Sequence, residues 1–165
     1  IFHGKDLKLV TSNIRRNSPL CLDSKIHHNN LINNILAKIE ANHAGVDDAL
    51  MLDIDGFVSE TNATNIFMIK DKIVYTPFPK ACLPGITRQT VIDICQSNNI
   101  PIIEKDISVT EMYNADEVFS TGTMGELARV EEIDKRKIEN KGDVLSNLQN
   151  LFRKLTEKDG EKIPF

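Results

Sequence analysis

Apolar residues recur along this chain at two spacings, one typical of helices and one typical of strands. Three segments have the helical spacing: one from about Asn30, one after Pro84-Gly85, and a terminal one that Asp143 caps. Gly45 and Asn98-Asn99 are stop signals for the first two. The apolar positions are Leu31, Ile32, Ile35, Leu36 and Ile39, then Ile86, Val91, Ile94 and Cys95, and finally Val144, Leu145, Leu148, Leu151, Phe152 and Leu155.

Shorter apolar runs predict strands. Residues 1–10 and 7–16 begin the chain with this pattern, and residues 49–76 contain four runs separated by turn residues, including Asp55-Gly56 and Asp71-Lys72. We therefore expect an antiparallel meander of four strands there. Further strands are expected in the segments IPIIEKDIS, DEVFSTG and LARVEEID, and the S-x-x-E spacing of Ser108 and Glu111 predicts a short capped helix towards Asn114.

The order of these elements indicates a mixed α+β fold in which hairpins are prominent. A chain of 165 residues is long enough for one domain with its own core, so we expect a single domain over residues 1–165. The chain starts at Ile1 inside a strand pattern, which suggests a piece of something longer.

The composition of the chain argues against several classes of protein. Hydrophobic residues make up 41% and charged residues 27%, as in ordinary globular proteins, and the net charge of −4 offers no basic surface for nucleic acid. The sequence contains neither an apolar run long enough to span a membrane nor a secretory signal, so the cytoplasm is the expected compartment. The cysteines, Cys21, Cys82 and Cys95, are too widely spaced for a disulfide framework or a zinc site, and we expect them to be reduced and partly buried.

Several polar residues are candidates for chemistry. Glu60 stands at the edge of the stretch GFVSETNATNIF, where an isolated glutamate is most often a solvated hairpin residue. Gly85 precedes a helix whose first amides, with the hydroxyl of Thr87, can face an anion, although such a segment taken alone is more often a simple loop. The segment STGTMGE offers a second such loop through Thr123. Adjacent histidines such as His27 and His28 rarely converge on one ion, so no metal site is expected.

Three of these segments together resemble a known family. The run ETNATNIF from Glu60 to Phe67, then VYT at 74–76, then LPGITR at 83–88 is similar to the signature of class IV (fold-type IV) aminotransferases, which use pyridoxal phosphate. The later run ADEVFSTGTMGELARV resembles the same family in the same order. The similarity extends over residues 10–132 and corresponds to the large C-terminal domain of branched-chain aminotransferases.

The resemblance implies a fold and a role for each candidate residue. The fold would be a pseudo-barrel of strands flanked by helices. Glu60 would keep the ring nitrogen of pyridoxal phosphate protonated, and Lys25 would bond to the cofactor's aldehyde and then carry the substrate proton. The other cofactor contacts would come from Leu83, Gly85, Ile86, Thr87 and Thr123, with the amides of Thr123 and Met124 near the substrate carboxylate.

The resemblance also implies an activity and its alternatives. The expected reaction moves an amino group between an amino acid, favoured as branched-chain, and a 2-oxo acid, in a homodimer. A D-amino-acid transaminase or an aminodeoxychorismate-type lyase would use the same residues. An inactive fragment serving as an assembly or binding domain is the third alternative, because the family's smaller N-terminal domain, with its phosphate-binding arginine, is absent from this chain. Arg15 and Arg16 are not expected to replace that arginine, since they precede Lys25 on an apparent strand edge.

Overall fold

The computed structural model of the protein describes residues 6–27, 29–123 and 125–159, and within them it contains nine strands and four helices. The strands are β1 (Leu7–Thr11), β2 (Asp48–Leu52), β3 (Val58–Thr61), β4 (Asn65–Lys70), β5 (Ile73–Thr76), β6 (Ile102–Glu104), β7 (Glu117–Gly122), β8 (Glu126–Ile133) and β9 (Arg136–Lys137). The helices are α1 (Ile32–Ala44), α2 (Ile86–Ser97), α3 (Val109–Tyr113) and α4 (Val144–Asp159).

All nine strands form one curled sheet in the order β3-β2-β1-β8-β7-β4-β5-β6, with β9 paired to β8. The strand β1 runs parallel to both of its neighbours, and β5 runs parallel to β6, whereas the remaining pairs are antiparallel. The sheet curls into a half-barrel beside the four helices. The predicted mixed α+β class is therefore confirmed.

The predicted four-strand meander is wrong at its centre. The strands β2 and β3 form one antiparallel hairpin and β4 and β5 form another, but β3 lies at one edge of the sheet while β4 lies between β7 and β5. Between them the chain turns sharply, because the amide of Thr61 donates to the carbonyl of Thr64 at 2.8 Å. The amide of Asn62 donates to Ala49 at 3.0 Å instead of continuing a ladder with β4. This turn brings Glu60 close to the start of β4.

The helix α1 has the predicted spacing but buries an unexpected side. Ala37 and Ala41 are fully buried against Ala49 and Met51 of β2, and small side chains let the helix approach the sheet closely. Gly45 ends the helix with a φ of 69°, in the left-handed region that glycine tolerates, as predicted. The five larger apolar residues of the pattern, Leu31, Ile32, Ile35, Leu36 and Ile39, are exposed.

The other local predictions concern turns and helix ends. Asp71 and Lys72 both have positive φ in the β4–β5 turn, and Ser108 and Glu111 form the predicted capping box at the start of α3. The helix α4 begins directly after Asp143 as predicted, but the carboxylate that accepts from its first amides, at 3.1 Å for that of Val144, belongs to Glu117.

The first strand and the burial of the cysteines differ in part from the predictions. The first strand is shorter than expected: β1 ends at Thr11, and residues 1–5 of the predicted strand lie outside the described residues. Cys82 and Cys95 are buried, Cys21 is exposed, and all three are free thiols. Within the described part of the chain, no helix has the length and apolar character that crossing a membrane requires.

Candidate active site

A cavity of about 470 Å³ lies where four loop segments meet beside the sheet. These segments are the chain leading into α1, the β3–β4 turn, the residues that enter α2, and the end of β7. Its walls are formed by Arg16, Ser24, Ile26, His27, Leu31, Asn34, Glu60, Asn62, Ala63, Thr64, Asn65, Leu83, Gly85, Ile86, Thr87, Thr121, Gly122 and Thr123. Six of the predicted cofactor-binding residues are therefore in one place: Glu60, Leu83, Gly85, Ile86, Thr87 and Thr123.

Glu60 is a buried carboxylate, not the solvated hairpin residue that the local sequence favours. It lies on β3 with 6% of its surface exposed, and its Oε1 is 2.9 Å from Nε of Arg16 in an ion pair. Burial raises the pKa of Glu60 to about 7, although the charge of Arg16 and the amide of Leu83 both act to lower it. The ion pair with Arg16 therefore favours the ionised form of Glu60 against the effect of burial.

The start of α2 opens into the same cavity without a side-chain cap. Gly85 is the N-cap residue, and the first turn of the helix contains no acidic side chain. The first amides of a helix lack partners within it, so the backbone at Ile86 and Thr87 favours an anion. A Cβ at Gly85 would lie 2.3 Å from Oδ1 of Asn65, so any larger residue there must displace the side chain of Asn65.

The end of β7 contributes a hydroxyl that the sequence did not single out. Thr121 is 2% exposed, lines the cavity, and its Oγ1 has no hydrogen-bond partner among the described residues. Ser24 supplies a second buried hydroxyl of this kind in the opposite segment. Burial alone identifies these two hydroxyls. In the sequence, Thr121 is one of several hydroxyl residues in the stretch STGT, and its spacing does not distinguish it. Met124, predicted beside Thr123, lies outside the described residues.

Lys25 does not line the cavity in this structure. Its side chain is 46% exposed and its Nζ lies 3.9 Å from Oδ2 of Asp23. Its neighbours Ser24, Ile26 and His27 do line the cavity. Lys25 is thus at the rim, on a segment that forms one wall, and its ammonium points to Asp23.

The structure contradicts the predicted position of Arg16 on a strand edge. It follows β1, which ends at Thr11, so it lies in the loop before α1 and not on a strand edge. Its side chain is buried in the cavity wall beside Glu60. No local signal in the sequence could have paired these two residues, since 44 positions separate them.

The close approach at Gly85 allows a first test by substitution. In Gly85→Ala the new methyl group must displace the side chain of Asn65, whose Nδ2 donates to the carbonyl of Leu83 at 2.9 Å. We expect the free energy of unfolding to fall by about 1–3 kcal/mol, because that partly buried hydrogen bond is lost. Chemical denaturation measures this. In an Asn65→Ala background the same change should cost less; an equal cost would contradict the mechanism.

With this geometry described, comparison with known proteins identifies the family. The family model for class IV aminotransferases matches residues 2–133. The chain belongs to the class IV aminotransferase family. The resemblance in the motifs at Glu60, 83–88 and 115–130 is therefore confirmed over most of the chain.

Individual members of the class IV aminotransferase family give the same result. The branched-chain-amino-acid aminotransferase-like protein 2 of Arabidopsis thaliana is 61% identical over 158 residues, which are 94% of this chain and 28% of that protein. The crystal structure of a branched-chain aminotransferase from Thermoproteus uzoniensis with norvaline superposes with a TM-score of 0.89 at 32% identity, covering 94% of this chain and 53% of that one. An aminotransferase from Brucella abortus bound to the cofactor PLP has a TM-score of 0.87 at 30% identity, covering 93% of this chain and 55% of that one. The chain thus spans about half or less of the length of these relatives.

The cavity of this class IV chain fits a phosphate-bearing aromatic group. The uncapped start of α2 and the unpaired buried hydroxyl of Thr121 are donors without a protein acceptor. The buried carboxylate of Glu60 is an acceptor on the same cavity. The cavity therefore combines donors for a phosphate with an acceptor for a protonated ring nitrogen, as pyridoxal phosphate requires.

Proposed function

We propose that this protein is a pyridoxal phosphate-dependent aminotransferase that moves an amino group from an amino acid to a 2-oxo acid. The observation that carries the proposal is that Glu60 and the uncapped start of α2 line the same cavity. An acceptor and an anion site on one cavity match the two ends of this cofactor.

The phosphate end belongs at α2. The amides of Ile86 and Thr87 and the hydroxyl of Thr87 would donate to it, and the helix dipole would add to the attraction. Thr123 supplies a further hydroxyl from the end of β7. Gly85 lets the backbone approach closely because it has no side chain in the space next to Asn65.

The ring end belongs at Glu60. Pyridoxal phosphate supplies an electron sink, since its protonated ring withdraws electrons from the substrate's α-carbon. An ionised Glu60 would accept a hydrogen bond from the ring N–H and so keep that proton in place. Leu83, which lines the same cavity, would pack against the ring and exclude water from it.

Lys25 supplies the reactive amine. Its amine would hold the aldehyde of the cofactor covalently, and the same amine, once free, would take the proton from the substrate's α-carbon and return it at the neighbouring carbon of the cofactor. To do so its side chain must leave Asp23 and turn towards the cavity that Ser24 and Ile26 already line. A lysine has the flexible four-carbon stem that such a movement needs.

The substrates are an amino acid, favoured as branched-chain, and a 2-oxo acid. The support for the branched-chain preference comes from the names of the relatives in Arabidopsis thaliana and Thermoproteus uzoniensis. The amides of Thr123 and Met124 are the proposed contacts for the substrate carboxylate. Assembly as a homodimer and a cytoplasmic location stay predictions.

Cofactor titration tests this proposal. Adding pyridoxal phosphate to the protein should produce the visible absorbance band of the lysine-bound cofactor, and L-leucine should then convert that band to the pyridoxamine form. Conversion by D-leucine alone would favour the D-amino-acid transaminase, and pyruvate release from a chorismate-derived substrate would favour the lyase. No band at all would contradict the proposal and support an inactive fragment.

A pair of variants on α2 tests the phosphate site. Thr87→Val removes a hydroxyl on the cavity, and we expect the Kd for pyridoxal phosphate to rise about ten- to a hundredfold, since a hydrogen bond to a charged group is worth about 1.5–3 kcal/mol. Thr90→Val is the matched control, because that hydroxyl donates to the carbonyl of Ile86 within the helix. Equal Kd values for the two variants would contradict a phosphate contact at Thr87.

A further inference from the structure

Arg16 is a buried cation that connects the cavity to three other parts of the fold. Its Nε lies 2.9 Å from Oε1 of Glu60 and donates to the carbonyl of Ala81 at 3.2 Å. Its second nitrogen, Nη1, donates to Oδ1 of Asn33 at 2.7 Å and to Oδ1 of Asn34 at 2.8 Å, both on α1. The guanidinium of Arg16 therefore contacts three neutral acceptors and the carboxylate of Glu60.

The groups that hold Arg16 are themselves held. Nδ2 of Asn34 donates to the carbonyl of Asn62 at 2.9 Å, and Oδ1 of Asn62 accepts from the amide of Ala49 at 2.7 Å. Nδ2 of Asn33 donates to the carbonyl of Arg15 at 2.8 Å. Burying a cation costs free energy unless its donors are satisfied, so this network sets the position of Arg16 before a ligand binds.

We propose that Arg16 is a positioning residue for Glu60: it favours the ionised form of this carboxylate against the effect of burial and orients it as the acceptor for a ring N–H in the cavity. The inference rests on the proposed function, but the coupling between the side chains of Arg16 and Glu60 does not require a bound cofactor. Arg16 itself need not touch the ligand, because it acts through the carboxylate.

The charge balance around Glu60 explains why this cation matters. Burial favours the neutral acid, and Arg16 is the cation that opposes it, with the amide of Leu83 as the other contributor. The other titratable groups near this carboxylate are the buried thiol of Cys82, whose pKa burial raises to about 12, and the imidazole of His27 in the cavity wall. Cys82 supplies no positive charge in either protonation state, because a thiol is neutral and a thiolate is negative.

Loss of the cation should change what Glu60 can bind. A neutral carboxyl group carries a proton of its own and would donate to a ring nitrogen, leaving the ring unprotonated. An ionised carboxylate can only accept, so it requires the N–H form of the ring. Arg16 thereby selects which form of the ring the cavity binds.

The test is a titration of Glu60 by carbon-13 NMR in the protein without cofactor, with Glu60→Gln to assign the signal. In Arg16→Gln we expect the pKa of Glu60 to rise by about one unit or more, a tenfold change in the ratio of acid to carboxylate. Arg15→Gln is the matched control, since that exposed guanidinium donates to the carbonyl of Ser12 at 3.0 Å. An unchanged pKa in Arg16→Gln would overturn the inference.

A second variant keeps the inference testable if Arg16→Gln does not fold. In Arg16→Lys the charge remains, but an ammonium cannot reach Ala81, both asparagines and Glu60 together, so the pKa of Glu60 should rise less than in Arg16→Gln and still exceed that of the unchanged protein. A pKa equal to that of the unchanged protein would show that the charge alone acts on Glu60, and it would overturn the orienting role proposed for the guanidinium.

Nitrogen-15 NMR of labelled pyridoxal phosphate separates this inference from the proposed function. In the unchanged protein the ring nitrogen should be protonated, and in Arg16→Gln its signal should move towards the unprotonated value. If the carboxyl titration shifts as expected but the protein never binds pyridoxal phosphate, the coupling stands and the proposed function fails. If the cofactor binds and neither signal changes in Arg16→Gln, the inference fails alone.

Discussion

Replacing Lys25 by alanine should lower the rate of amino transfer by about 10³-fold or more while leaving non-covalent binding of pyridoxal phosphate in place. The expectation follows from two roles in one amine, since Lys25 bonds to the cofactor and also moves the substrate proton, and a positioned proton-transfer group alone contributes about 10²–10⁴-fold. Stopped-flow absorbance during the half-reaction with L-leucine measures the rate.

The control for this substitution is Lys70→Ala. Lys70 pairs with Asp116 at 2.7 Å in an exposed ion pair away from the cavity, and such pairs contribute little to stability. It should leave both the absorbance band and the rate unchanged. If Lys25→Ala keeps the band of lysine-bound cofactor, another lysine forms the bond and the assignment of Lys25 is wrong.

Replacing Glu60 by alanine should leave pyridoxal phosphate bound but slow proton transfer about 10²-fold. The ring N–H loses its charged acceptor, and a hydrogen bond to a charged group is worth about 1.5–3 kcal/mol. The same change leaves Arg16 buried without its anion, so the free energy of unfolding should also fall by about 3–5 kcal/mol. Single-turnover kinetics at saturating cofactor separate the first effect from the second, and an unchanged rate would contradict the role of Glu60.

The pH dependence of stability gives Glu60 a second signature. Its pKa is raised from 4.5 to about 7 in the folded chain, so between these values the folded state binds more protons than the unfolded state. The contribution of Glu60 to stability is therefore fully present below pH 4.5 and is lost as the pH rises through about 7. In Glu60→Gln this part of the pH dependence should disappear from denaturation curves of the protein without cofactor.

Features that depend on a few neighbouring residues were predictable from the sequence. The capping box at Ser108 and Glu111, the turn at Asp71-Lys72 and the end of α1 at Gly45 each need only local backbone chemistry, and each is confirmed. The family motifs likewise place Glu60 and the start of α2 on one cavity.

Features that depend on distant packing were not predictable in the same way. The pattern of α1 predicts a helix, but its burial is decided by how closely Ala37 and Ala41 can approach β2. The pairing of β4 with β7 depends on a ladder between segments about fifty residues apart. The ion pair of Arg16 and Glu60 also depends on distant packing, because α1 and the β3–β4 turn form its surroundings.

The central claim is that one bound ring meets Glu60 at its nitrogen while Lys25 holds its aldehyde carbon. A crystal structure of the protein loaded with pyridoxal phosphate and reduced with borohydride tests this most directly. We predict a covalent bond from Nζ of Lys25 to the cofactor, with the ring nitrogen within about 3 Å of a carboxylate oxygen of Glu60. A bond to any other lysine, or a ring nitrogen outside the reach of Glu60, would contradict the account.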